Sequence, residues 1–300
     1  MTEGLFGYPD VGRTGLAHSL LAWARCVVWA EQVGATMLAP HWFRFRVGPI
    51  IRNERDKRNY YVDFHHSTQV SGLRREYLLA TSKRVYAELD LPDRGNGNWR
   101  NTVVIFRNAE AVNERKFFHL IQGHHELVRD RLVSITTDKV LTGVHVEPHV
   151  AIHVRRGDFK EPKTEDLDEV ATNARLPIEW YEKTFLKLRS QIESNFKTII
   201  YSDGSDDEIA ELLKYKNVER SKSQSAITDL ISMSNAAVIV ASVSGFSQWG
   251  SYLGNVPCIS YPGQSLFSYL KSSPTEIEVS IESAIPKEFI IDVNSRLNLR

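Results

Sequence analysis

"VAIHVRRGDF", Val150–Phe159, sets an apolar run directly ahead of a histidine, two arginines, a glycine and an aspartate. The run suits a strand buried on both faces, and the charges that follow mark where such a strand leaves the core. Side chains alternate along a strand, so His153 and Arg155 point to one side. The same arrangement recurs downstream. "KTIIYSD", "AVIVASVSG" and "VPCISYP" read as strands, and "PIEWYEKTFLKLRSQI", "SDDEIAELLKY", "AITDLISMSNA" and "FSQWGSYLG" as helices between them. Pro177 opens the first helix, where proline is favoured at the first helical position. Ser205 and Glu208, three apart, form a capping box at the second, and Gly254 ends the last. This alternation predicts an α/β unit with a mostly parallel sheet covered on both faces. Ligands of such sheets sit at the carboxyl ends of the strands.

Upstream, "GLAHSLLAWARCVVWAEQVGA" spaces Leu16, Leu20, Ala24, Val27 and Val28 as a helix does, with Gly34 at the capping position. "ATMLAP" follows as a short strand, giving a βαβ-like opening behind a glycine-bearing loop. "TVVIFR", Thr102–Arg107, is a buried strand, and "ERKFFHLIQGHHELVRDRLV" is helical material broken near Gly123. Residues 41–60 read as a basic surface loop, and the rest of 61–145 carries little pattern. The tryptophans Trp180 and Trp249 read as packing, whereas Trp42 and Trp99 stand among polar neighbours and are the better candidates for touching an acceptor.

Of the 300 residues, 42% are hydrophobic and 25% charged, which is the composition of a folded chain long enough for two cores. Lys plus Arg and Asp plus Glu total 37 each, and this balance excludes non-specific binding to nucleic acid, which needs a cationic surplus. Two cysteines, Cys26 and Cys258, fall in apolar segments without CxxC spacing, so no disulfide framework is expected, and the doublets His65-His66 and His124-His125 lack second ligands at helpful spacing, so no zinc site is expected. With no leader-like or membrane-spanning run, a cytoplasmic location is expected. Arg156-Gly157-Asp158 spells an adhesion tripeptide, but adhesion needs export and an exposed loop, and this tripeptide follows a buried strand.

Three strand ends carry chemistry. His153 and Arg155 form a donor-rich face, and a guanidinium grips phosphate oxygens in a fork. Asp203, in Tyr201-Ser202-Asp203-Gly204, stands where a carboxylate meets ribose hydroxyls in dinucleotide folds, although Asp-Gly also makes plain turns. Asp229 precedes "AVIVA", and the small residues Ser242 to Ser247 admit a phosphate to the backbone at a helix N-terminus. The pair Asp166 and Asp168 has the Asp-x-Asp spacing of metal-dependent transferases, but polar residues precede it where a buried strand is required.

In that order, "HVRRGDF", "YSDGSDDEI" and "TDLISMSNAAVIVASVSGFSQWG" resemble the three motifs of the α-1,2-, α-1,6- and protein O-fucosyltransferase superfamily. The first motif and the Phe-Ser-x-Trp-Gly of the third are most similar to the bacterial α-1,2 branch. Pro177–Tyr181 resembles a feature of the α-1,6 branch. The N-terminal loop departs from the family's Gly-Asn, having Ala17-His18 there.

The resemblance implies an α/β fold of GT-B type, two Rossmann-like domains facing a central cleft. It implies an acceptor-side domain over 1–145, a GDP-sugar domain over 146–272, and a tail over 273–300 that returns to the first domain. The implied activity is inverting, metal-independent transfer of fucose, or a related 6-deoxy sugar, from GDP-fucose to a glycan or lipid-linked oligosaccharide in polysaccharide biosynthesis. Peripheral membrane association would come through the acceptor. No cofactor, metal or nucleic acid is implied. Carried over by position, Arg155 holds the diphosphate, His153 and Asp229 contact guanine, Asp203 lies near the nucleotide, and Ser244 and Gly245 line the phosphate. Arg156 and Asp158 brace the loop. Glu161 and Glu165 are the candidates for the base that takes the acceptor's proton. The alternative is a non-catalytic GDP-sugar-binding protein derived from the same fold.

Overall fold

The computed structural model describes residues 4–12, 15–42, 60–65, 69–87, 99–107, 118–157, 159, 175–192, 195–223, 225–264 and 276–297. The chain divides into two compact units, Met1–Thr142 and Gly143–Arg300.

Unit one runs β1 (Leu5–Asp10), α1 (Leu16–Val33), β2 (Thr36–Met37), α2 (Gly72–Thr81), β3 (Lys83–Ala87), β4 (Thr102–Arg107), α3 (His125–Ile135) and α4 (Asp138–Leu141). Its sheet has the order β2-β1-β4-β3, and every pairing is parallel. The strand β1 completes the βαβ opening expected from the helix and loop. The helix α1 lies close on the sheet, because Gly7 of β1 has no side chain: a Cβ there would stand 2.7 Å from the Cys26 sulfur. Gly34 ends α1 in the left-handed region, with φ of 67°. Gly123, also at positive φ, breaks the helical material ahead of α3.

Unit two runs β5 (Val150–Val154), α5 (Ile178–Gln191), β6 (Thr198–Ser202), a 3-10 turn (Asp207–Ile209), α6 (Ala210–Leu213), β7 (Val218–Arg220), α7 (Ala226–Met233), β8 (Val238–Val240), α8 (Gly245–Gly254), β9 (Cys258–Ser260), β10 (Glu276–Glu278) and α9 (Lys287–Leu297). The sheet order is β10-β9-β8-β5-β6-β7, again with only parallel pairings. The alternation read from the sequence is therefore real. β5 lies between β6 and β8 and is buried on both faces. Val150, Ile152 and Val154 pack with Trp180 and Phe185 on one side. Ala151 packs with Tyr201 and Met233 on the other.

Two expectations need correction. Pro177 is the N-cap of α5 with extended ψ of 134°, one residue before the first helical position. "SDDEIAELLKY" makes only the 3-10 turn and the single-turn helix α6, although its capping box forms: the Glu208 carboxylate takes the Ser205 N–H at 2.8 Å, and the Ser205 hydroxyl accepts the Glu208 N–H at 3.3 Å. The described part of the tail, 276–297, is assigned to the second unit. Phe289, Ile290 and Val293 of α9 are apolar at helical spacing and bury themselves with Trp180 in the core of unit two.

Candidate functional site

Parallel pairing sends the carboxyl ends of β6, β5 and β8, neighbours in that order, to one edge of the sheet. Those ends carry the three motifs. In the register of β5 on β6, His153 faces Tyr201 and Val154 faces Ser202. One step further, Arg155 meets Asp203, and their side chains form an ion pair at 2.7 Å. The Arg156 backbone N–H donates to the other Asp203 oxygen at 2.7 Å. Asp203 therefore ties the exit of β5 to the exit of β6. The closeness also explains Gly157: a Cβ there would stand 2.3 Å from Asp203 Oδ2. The Arg155 guanidinium lies 5.4 Å from the centre of the Phe159 ring, and its side chain is 29% exposed, so a charged group from outside can reach it.

Arg156 is not equivalent to Arg155. Its Nη1 donates to the Leu176 carbonyl at 3.1 Å, and its own carbonyl accepts from Arg175 Nε at 3.0 Å. Arg175 also donates to the Phe159 carbonyl at 2.8 Å and pairs with Glu208 at 3.2 Å. The Ser205 N–H is the largest of the influences holding the Glu208 carboxyl below its usual range. Arg156, Arg175 and Glu208 thus brace the loop that presents Arg155. Arg220, at the end of β7, adds a second brace by donating to the carbonyls of Ser202 and Gly204 at 3.1 and 2.5 Å.

His153 is 5% exposed. Burial, with a smaller push from the Arg155 charge, drives its pKa down to about 3, so the ring is neutral. Its Nδ1 is hydrogen-bonded to the Ser242 hydroxyl at 2.9 Å, and the Phe246 ring packs at 5.4 Å. Beyond β8, the Ser244 hydroxyl accepts the Phe246 N–H at 3.2 Å and so caps α8, which Gly245 begins. The free N–H groups of a helix start favour an anion. Asp229, in the first turn of α7, accepts the hydroxyl of Ser221, which follows β7. It lies on the β7 side of the edge, while His153 lies on the β8 side.

Asp158, Glu161, Glu165, Asp166 and Asp168 lie outside the described residues. Among the described residues, no group of three or more His, Cys, Asp or Glu is placed to hold a metal ion, and no helix is long and apolar enough to cross a membrane. Trp42 does not meet the expectation of an acceptor contact: it is 4% exposed and stacked on Phe64 at 4.4 Å. Trp99 packs against the core of unit one beside Val104 and Phe106. Sequence reading missed Arg175 and Arg220 altogether, and it did not single out Ser242 or Phe246 as the neighbours of His153. Parity along β5 does put His153 on the same face of the sheet as Ala151, but pairing it with a serine two residues past β8 needs the strand order.

Residues 74–260, more than half of the chain, match the family model of glycosyl transferase family 11. The chain belongs to that family. It is a glycosyltransferase of the fucosyltransferase superfamily to which its three motifs pointed. Among solved structures it is similar to the NodZ α-1,6-fucosyltransferase soaked with GDP-fucose, at 13% identity over 88% of this chain and 97% of that one, with a TM-score of 0.48. NodZ from Bradyrhizobium gives 13% identity over 87% and 97%, with a TM-score of 0.47. POFUT1 in complex with GDP gives 13% identity over 87% and 98%, also with 0.47. No curated protein matches the chain.

Proposed function

We propose that this family member transfers fucose, or a related 6-deoxy sugar, from a GDP-sugar to a glycan or lipid-linked oligosaccharide, with inversion and without a metal. The observation that carries this reading is the convergence of Arg155, Asp203 and the α8 N-terminus on one edge of the second sheet. As GDP leaves, negative charge grows on its β-phosphate, and a fixed guanidinium and helix N–H groups stabilise it without Lewis-acid help. Asp203 holds Arg155 in place, so little reorganisation is needed as the charge develops. Neutral His153 offers a donor or an acceptor to the purine edge, and Asp229 offers a carboxylate to guanine's N–H groups. Glu161 and Glu165 are the proposed bases. The setting is the cytoplasm, in polysaccharide biosynthesis, with any membrane contact made through the acceptor. Buried thiols at Cys26 and Cys258 suit a reducing compartment.

The test is incubation with a panel of GDP-, UDP- and CMP-sugars, followed by product release. GDP-fucose should be turned over fastest. Absence of both binding and turnover with every GDP-sugar refutes the assignment, and calorimetric binding without turnover selects the non-catalytic alternative.

A further inference from the structure

Unit one holds a second set of converging polar groups, at the carboxyl end of β2. His41 stands four residues past that strand. Its Nδ1 is hydrogen-bonded to the Tyr8 hydroxyl at 2.8 Å, and its Nε2 lies 3.1 Å from Glu76 Oε1 and 2.6 Å from Arg75 Nη2. Arg75 donates from Nε to the same Glu76 oxygen at 2.8 Å and from Nη1 to the Ala39 carbonyl at 2.9 Å. The guanidinium is the inner brace, with its side chain 12% exposed, while the side chains of His41 and Glu76 are 44% and 50% exposed. Burial works against the Glu76 charge, but the hydrogen bond and charge of Arg75, with His41, hold its carboxyl below the usual range. These contacts all fall on Oε1, so Oε2 takes no bond among the described residues.

The same helix, α2, presents Leu73 and Tyr77 to solvent at 90% and 63% exposure. Four residues apart, they lie on one stripe, and Glu76 falls in the turn between them. A sugar ring has an apolar C–H face and a rim of hydroxyls. An aromatic plate covers the first, and a carboxylate binds the second. A parallel sheet, moreover, binds its ligands at the carboxyl edge, where this cluster sits.

We propose that Tyr77, Leu73 and Glu76 form a carbohydrate site on unit one that takes the acceptor glycan. Tyr77 supplies the stacking plate, Glu76 Oε2 takes the hydroxyls, and Arg75 and His41, the latter held by Tyr8, position Glu76. The proposal rests on the transferase reading given above.

The experiment measures the acceptor KM, kcat and GDP affinity of the full chain with GDP-fucose and a panel of free oligosaccharides (lactose, cellobiose and maltose among them). Tyr77→Ala should raise the acceptor KM about fivefold to tenfold, the range of a lost aromatic contact. Tyr77→Phe, which keeps the plate, should restore most of it. Glu76→Gln should raise KM to a similar degree, and GDP affinity should move less than about twofold, within the scatter of an uncoupled site. Ile291→Ala, at an exposed position of α9, is the control. Unchanged acceptor KM in both Tyr77→Ala and Glu76→Gln overturns the site. If the wild type consumes no GDP-sugar, the transferase reading fails separately, and saturation-transfer NMR with the same sugars judges the site. Saturation that is lost in Tyr77→Ala supports it, whereas equal saturation in the variant, or none in the wild type, overturns it.

Discussion

His149 enters β5 and His153 sits one residue before its end, on the same side of the sheet, and both are buried. Each is pushed down by burial, to about 4 and about 3. Their surroundings differ. At the amino end, His149 bonds the Glu147 carbonyl at 2.9 Å and the Tyr201 hydroxyl at 3.0 Å, so both ring nitrogens are closed off by protein. At the carboxyl end, His153 has Ser242 on one nitrogen, and the partly exposed Arg155–Asp203 pair follows it. A perturbed imidazole thus does not by itself mark the site. What marks it is a reachable cation held rigid by a neighbouring strand.

The sharpest way to break this contrast is to compare Arg155→Ala with His149→Phe. The first should lower kcat by about a hundredfold to a thousandfold, the usual cost of removing a donor aimed at developing charge. Its circular dichroism should stay that of the wild type, because Arg155 lies past the strand. The second should leave sugar transfer close to wild type. An Arg155→Ala enzyme of normal kcat removes the electrostatic role assigned here.

The pH dependence of stability tests what the two histidines share. Their folded pKa values lie below the unfolded value, so the unfolded chain binds more protons as pH falls. Stability is therefore fully present above about pH 6.5 and is lost as pH drops toward the folded values, by roughly 2 kcal/mol per histidine at pH 5. Urea unfolding at pH 7 and pH 5 measures the loss, and His149→Phe should flatten the slope by about one proton between those values. An unaltered slope would mean that His149 is charged, or water-accessible, in the folded protein.

The second sheet was legible in the sequence because each of its inner strands announces itself twice, by an apolar run and by the polar turn after it. Val150–Val154, Thr198–Ser202 and Val238–Val240 are all of this kind, and the helices between them fix parallel order. Edge and surface elements lack that signal. β3 is "KRVYA", with Lys83, Arg84 and Tyr86 exposed, and α2 buries only Leu78, so neither shows a strong apolar period. The glycine and proline in "LFGYPD" hide β1, though it is almost wholly buried. The site divides likewise. Arg155 and Asp203 could be named from strand-end position, but their direct pairing is set by the register of β5 on β6. Arg175 and Arg220 act on backbone carbonyls far away in the chain, and no local spacing encodes that. Trp42 misled because its sequence neighbours are polar while its partner, Phe64, is distant.

The smallest effect expected at the carboxyl end belongs to Ser242. Its hydroxyl is the partner of a buried, neutral imidazole, and Ser242→Ala leaves Nδ1 without that bond. The substitution is nearly isosteric, so no cavity of consequence opens. The cost is that of a buried polar atom left unsatisfied, about 1–2 kcal/mol in urea unfolding. The effect on the nucleotide should be smaller and indirect. The Ser242 bond fixes which His153 nitrogen faces away from β8, and losing it lets the ring exchange tautomers, so GDP affinity should weaken by only a few-fold while kcat is nearly kept. His153→Phe supplies the contrast, since it keeps the ring against Phe246 but has no nitrogen to offer. If the two variants weaken GDP equally, the imidazole serves packing and not recognition, and the two ends of β5 then differ only in Arg155 and Asp203.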